Sequence, residues 1–232
     1  MVHRLLSFVM LLMAILPPTA YAQFRSVDEA AFRISVNGQI VGREEFSIRQ
    51  AGEGGQAQVM LRGTVSLDLP SGTLELAPIM AIEGGNQGVS TYQMKVSGSE
   101  TTEITVRMAG GRYLAKVNSN RGEELREFRA GSGSVILDAG VAHHHFLLTP
   151  FLDESTGVSL TVLTPREGRQ VRMSLTYVGE DQVPVGMEHL DARQFRLEGG
   201  DGTRDIWFDE QWRILRVEIP AQGYLAERER MN

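Results

Sequence analysis

The chain contains no cysteine, and this single absence excludes disulfides, thiolate metal sites, a cysteine nucleophile and a lipid-modified N-terminal cysteine. It has no Asn-x-Ser/Thr sequon, which fits a bacterial envelope protein. Beyond Leu16 no apolar run approaches the roughly 20 residues that a membrane-spanning helix needs. Positive charge is not in excess: 23 Lys and Arg against 29 Asp and Glu leave a net charge of −6, so nucleic acid is a poor partner. Aromatics are few, with 9 Phe, 5 Tyr and 2 Trp, and the chain ends on Met231-Asn232; both argue against the aromatic girdles and terminal aromatic of an outer-membrane barrel. Hydrophobic residues at 42% and charged residues at 22% match ordinary globular usage, which sets aside both disorder and a multi-span membrane protein.

What is present begins with an export signature. Residues 1–22 combine a basic start at His3 and Arg4, an apolar stretch from Leu5 to Leu16, helix-breaking Pro17 and Pro18, and Ala20-Tyr21-Ala22 as an A-x-A cleavage site. The expected mature protein is periplasmic or secreted, with no transmembrane segment, and one β-rich domain over residues 23–232. Loss of Arg4 takes its net charge to −7.

Period-two alternation dominates the remainder. Phe32, Ile34 and Val36 lead to Asn37-Gly38, and Phe46 and Ile48 resume beyond it, the pattern of a hairpin. Val59, Leu61, Val65, Leu67 and Leu69 share one face of a long strand, and Tyr92, Met94 and Val96 share a face of another. Ile104 and Val106, Gly110-Gly111, then Tyr113, Ala115 and Val117 predict a second hairpin. The high glycine content, 25 residues, agrees with many turns. Between Val141 and Leu152 the apolar spacing turns helical and Pro150 limits the helix. About ten to twelve strands and one short helix predict a mainly β, single-domain fold, a curved antiparallel sheet or incomplete barrel with the helix against one face. The charged Glu123–Arg129 segment follows a turn, and Glu227-Arg228-Glu229-Arg230 reads as a frayed end.

Three groups of residues are candidates for function. His143 and His145, with Asp138, have the side-chain chemistry of a metal site, and a metal-assisted hydrolase is the alternative reading they support. Against it, the only other mature histidine is the lone His189, and a polar helix start with one ring hydrogen-bonded to backbone or to Asp138 is the preferred reading of the cluster. Gly131-Ser132-Gly133-Ser134 lacks both the Walker lysine and the G-x-S-x-G spacing, so it is a turn. Glu123, Glu124, Glu127, Asp205, Asp209 and Glu210 form a solvated face rather than an identifiable acid-base pair. Phe146, Leu147 and Phe151 on the helix, with Trp207 and Trp212 in the last hairpin, are the candidates for lining an apolar cavity. No catalytic residue and no cofactor is assigned.

The opening Val36-Asn37-Gly38-Gln39-Ile40-Val41-Gly42 hairpin, the Leu137-Asp138…His144-His145-Phe146…Leu148 segment and the closing Trp207-Phe208-Asp209…Arg213-Ile214-Leu215-Arg216-Val217 hairpin resemble uncharacterised exported β proteins. These are similar in layout to bacterial lipoprotein-localisation carriers. Trp212 stands where that pattern would place a turn glycine. The resemblance implies a half-barrel around a helix that holds an acyl chain, another apolar ligand or a lipid-linked partner, without catalysis. The remaining class is an envelope interaction module that uses exposed sheet edges.

Overall fold

The computed structural model of the protein describes residues 24–84, 88–99, 101–200 and 202–229. The export signal read over residues 1–22 and the Met231-Asn232 end lie outside the described residues.

Fifteen strands form one open sheet. In chain order they are β1 (Arg25–Val36), β2 (Gln39–Ala51), β3 (Gln58–Leu69), β4 (Gly72–Glu83), β5 (Val89–Ser97), β6 (Thr102–Ala109), β7 (Arg112–Ser119), β8 (Gly122–Arg129), β9 (Ser134–Ile136), β10 (Val158–Thr164), β11 (Arg169–Val185), β12 (Glu188–Gly199), β13 (Gly202–Phe208), β14 (Ile214–Ile219) and β15 (Tyr224–Glu229). The spatial order runs β8 back to β1, then β15 back to β9, so β1 and β15 join two meanders at the middle. All pairs are antiparallel except β9 with β10, whose parallel register sets Val135 beside Val162. The mainly β class with one helix of more than a single turn agrees with the sequence, and the strands exceed the ten to twelve expected.

Alternation decides the faces. Phe32, Ile34, Phe46, Ile48, Leu61, Val65, Tyr92, Met94, Ile104 and Val106 all belong to one buried cluster on the concave face. Asn37 and Gly38 have φ of 50° and 75°, the left-handed pair that a two-residue hairpin turn requires. Against that face lies the His143–Phe151 segment, wound as a 3₁₀ helix with Pro150 inside it, and Leu147 and Leu148 enter the core.

Two segments differ from expectation. The charged Glu123–Arg129 segment forms most of edge strand β8, with Glu123, Glu127 and Arg129 on one face and Glu124 and Arg126 on the other. Glu227–Glu229 is not frayed: β15 pairs with both β1 and β14, and Arg228 donates to Asp28 through a two-pronged ion pair that includes Nη1 to Oδ2 at 2.9 Å. Asp28 is 6% exposed, so its pairing with Arg228 removes an otherwise unmatched buried charge.

A small second cluster occupies the opposite face. Opposite Gln194 and Phe195 the β11 strand carries a bulge between Tyr177 and Gly179, after which Val183 and Val185 pack with Ala192, Trp207 and Leu215. Among the described residues no helix is long and apolar enough to cross a membrane.

Candidate functional site

The helix is anchored from a distant strand. Its first residue has no local side-chain cap; instead Glu44 on β2, whose position shares the inward parity of Phe46 and Ile48, accepts from Ala142 N at 2.7 Å and His143 N at 2.9 Å. The same carboxyl group receives His143 Nδ1 at 2.5 Å, with both side chains fully buried. A carboxylate at the start of a helix meets the positive end of its aligned peptides, and three N–H donors replace the water it lost.

The His143 ring is held on every side. It stacks on Phe46 with ring centres 5.5 Å apart, Phe46 stacks in turn on Phe32 at 5.1 Å, and His144 meets it edge-on at 4.8 Å. Beneath it β3 carries Gly63, where a Cβ would fall 2.5 Å from His143 Cε1, so only glycine admits the ring.

Hydrogen-bond partners assign the tautomers. His144 Nδ1 accepts from the Asp138 N–H at 3.2 Å, which places its proton on Nε2. His145 Nδ1 donates to Ala142 O at 2.9 Å, leaving a lone pair on Nε2. Burial, reinforced by His143, His145 and Arg166, holds His144 well below the usual histidine range. Burial and then the Arg204 guanidinium press His145 down to about 3. Both rings are therefore neutral at physiological pH.

Asp138 forms the other side of this polar core. Tyr92 Oη donates to Asp138 Oδ2 at 2.8 Å, Ala139 N donates to Oδ1 at 3.1 Å, and Arg166 Nη2 donates to Ala139 O at 2.5 Å. Burial raises the Asp138 carboxyl above its ordinary range, and burial, then the Asp138 charge, raises the Tyr92 phenol far above its own.

His143, His144 and His145 are 0%, 0% and 2% exposed, so in this conformation no solvent-borne molecule touches them. Among the described residues no three His, Cys, Asp or Glu side chains are grouped to hold a metal ion. The arrangement's evident work is to fix the helix inside the sheet.

Where the helix meets the rim of β3 and β4 it leaves an apolar groove of about 500 Å³. Phe146, Leu147 and Pro150 form one wall, Val59 and Ile82 another, and Gly54, Gly55 and Gly84 expose bare backbone. Phe146 and Leu147, named from sequence, thus border the opening. Phe151 packs against the main core elsewhere. Trp207 lies in the second cluster, with Nε1 donating to Asp181 Oδ2 at 2.9 Å and Arg216 over its ring. Trp212 holds the left-handed turn position, φ 61°, its ring beneath Arg193 at 4.1 Å and beside Phe195 and Phe208. Neither tryptophan borders the groove. Of the carboxylates read as a solvated face, Asp205 and Asp209 are buried at 7% and 5%, paired with Arg196 and Arg213.

Glu44, Tyr92 and Arg204 were not among the sequence candidates for a site. Their signal is parity: each occupies an inward position of its strand, Glu44 with Phe46, Tyr92 with Met94, Arg204 with Ile206 and Phe208.

An open, single-sheet β fold closed over one helix and a polar core is the class that this geometry defines. Residues 99–231, more than half of the chain, match the family model described as a domain of unknown function, DUF6134, and the chain belongs to that family. No curated protein matches it. Among solved structures it is similar to a DUF1089 family protein from Pseudomonas aeruginosa, at 13% identity over 77% of this chain and 90% of the other, with a TM-score of 0.47.

Proposed function

We propose that this is a non-enzymatic protein, exported by its N-terminal segment, that binds an apolar ligand or the lipid moiety of an envelope partner in its curved sheet, the reading that the resemblance of its sequence motifs to lipoprotein carriers implies. The observation that carries the reading is the groove between the helix and the rim of β3 and β4: its walls are apolar side chains, including a half-buried Phe146, and among the described residues that line it none is charged. The rest of the concave face is filled by Tyr92, Met80, Met94, Leu147 and Leu148, so the ligand occupies the rim rather than the centre. Each methylene transferred from water to such a surface contributes roughly 0.8 kcal/mol, which binds a tail without any polar motif. The polar core then serves to hold the helix, and with it the groove wall, in place.

The test is native mass spectrometry of protein purified from its own envelope without detergent, followed by organic extraction and elemental analysis of the same sample. A co-purifying lipid-sized mass without stoichiometric metal supports the reading. An empty protein that brings down a specific protein partner replaces it with an interaction module, and stoichiometric zinc lost on His143→Ala replaces it with the metal-dependent alternative.

A further inference from the structure

We infer that His144 and His145 form an acid latch: acidification releases the His143–Phe151 helix from the concave face while the two meanders of the sheet stay paired. The inference does not depend on what the groove binds.

The seated helix has no place for a further ring proton. Asp138 N donates to His144 Nδ1 at 3.2 Å, so a proton arriving on that nitrogen would set donor against donor. His145 Nδ1 is already spent on Ala142 O, which leaves Nε2 to take the proton, and no acceptor among the described residues meets that atom. Both rings are sealed from bulk solvent, so a charge formed on either loses its hydration and gains no hydrogen bond.

The groups around the two rings act mostly in the same sense. Arg166 opposes a cation at His144, and Arg204 on β13 opposes one at His145. Tyr92 on β5 meets His144 edge-on at 5.6 Å, but its hydroxyl is bonded to Asp138, whose burial favours the uncharged acid. Glu44 on β2 is occupied by His143 and the Ala142 N–H. Tyr224 on β15 lies toward Glu44 and Arg204, and Arg228, over the Phe46 ring, is paired with Asp28. Strands β3, β9 and β14 also pack on the helix, and among the described residues they place no ionisable side chain in the buried core.

The segment can leave without unzipping a strand pair. It lies between β9, a three-residue strand at the edge of the sheet, and β10. Its polar ties to the rest of the fold run mainly through the side chains of Glu44, Tyr92 and Arg166, whereas the meanders are held by backbone bonds, which do not titrate. Once released, both rings regain water and titrate near the ordinary 6.5, so the seated form is favoured above that pH and loses ground below it. Departure of the helix uncovers the apolar seat of Leu147 and Leu148.

The experiment is hydrogen–deuterium exchange of the protein, read by mass spectrometry at pH 7 and pH 5 without denaturant and corrected for intrinsic exchange rates. The opening constant of residues 137–152 is expected to rise by about tenfold or more over that interval, since each histidine that gains a proton on release contributes up to about tenfold per pH unit. Strands β3, β6 and β12 should stay protected at pH 5. His144→Gln keeps an acceptor for the Asp138 N–H but does not titrate, and should cut the rise severalfold. His145→Gln should do so independently.

Equal loss of protection in helix and sheet overturns the latch in favour of global acid unfolding. Helix protection that does not change between pH 7 and pH 5 overturns it as well. An undiminished rise in both glutamine variants assigns the titration to other groups. A variant that is open already at pH 7 leaves the decision to the other; if both are open there, the rings hold the helix by packing and the latch is overturned.

Discussion

Glu44 and His143 stand 99 positions apart in the chain, yet His143 Nδ1 lies 2.5 Å from Glu44 Oε1 and both side chains are sealed from solvent. Their contact ties β2 to the helix start, and the same carboxyl group accepts two backbone N–H bonds there. Glu44→Ala strands three buried donors at once. A loss of about 3–5 kcal/mol in unfolding free energy is expected, read from urea denaturation. A loss below about 1 kcal/mol would show that the helix is held by its apolar face alone.

Gly63→Ala tests the seat of the His143 ring. The added Cβ would meet Cε1 at 2.5 Å and Nδ1 at 3.0 Å, and the ring has Phe46 on one face and Glu44 on its nitrogen, so it has nowhere to retreat. Overpacking of this kind costs about 1–3 kcal/mol. Thermal unfolding should show the drop for Gly63→Ala and no comparable drop for Gly55→Ala, where nothing lies within 4 Å.

Acid should unfold the protein through His144 and His145. Each has its folded pKa depressed, His145 to about 3, while the unfolded chain titrates near the ordinary 6.5. Protonation therefore favours the unfolded state, and stability present above pH ~6.5 is lost as pH falls toward about 3, at up to roughly 1.4 kcal/mol per pH unit for each proton. Asp138 acts in the opposite sense: its carboxyl is raised, so its contribution is present at low pH and lost as pH rises above its unfolded value of 3.8. Urea midpoints measured from pH 7 to pH 4 should fall steeply in the wild type and flatten in His145→Gln. An unchanged slope in that variant would assign the acid sensitivity elsewhere.

Edge strand β8 is joined to β11, on the other arm of the sheet, by a side chain standing in for a strand partner. Gln170 at the start of β11 donates through Nε2 to Arg129 O at 2.6 Å and accepts from Arg129 N at 3.2 Å through Oε1. Gln170→Ala should cost about 0.5–1.5 kcal/mol and speed hydrogen exchange at the Arg129 amide while leaving the Tyr113 and Ile104 amides slow. Equal exchange at Arg129 in both proteins would mean that the seam is closed by other contacts.

Much of the fold is legible in the chain because alternation is a local property. The Phe32–Ile48 hairpin with Asn37-Gly38 at its turn, the Gly110-Gly111 hairpin and the long Val59–Leu69 strand follow from two-residue periodicity and turn chemistry. The helical spacing over 141–152 corresponds to the His143–Phe151 helix, although its 3₁₀ winding follows from its seat against the sheet and from Pro150. Charged strands were harder to read: β8 and the end of β15 lack an apolar face in sequence, and they become strands because β7, β1 and β14 offer them a ladder.

The site divides along the same line. Phe146 and Leu147 were recognisable as apolar helix positions, but which of the apolar candidates would border an opening depended on where the helix stops short of β3 and β4. Trp207 was equally apolar, and by alternation it faces away from Ile206 and Phe208; a bulge in β11 brings Val183 and Val185 over it, and it becomes a second core instead of a cavity wall.

What the sequence by itself determined is the set of strands with an apolar face and their turns, and it carries the inward parity of Glu44, Tyr92 and Arg204 as a signal. Only the tertiary structure decided that Glu44 meets the helix start and is satisfied there, and that Tyr92 reaches Asp138. The reason is physical: backbone preference and side-chain alternation act over two or three residues, whereas taking a carboxylate out of water is tolerable only when donors from a distant segment arrive together, as Ala142 and His143 do at Glu44.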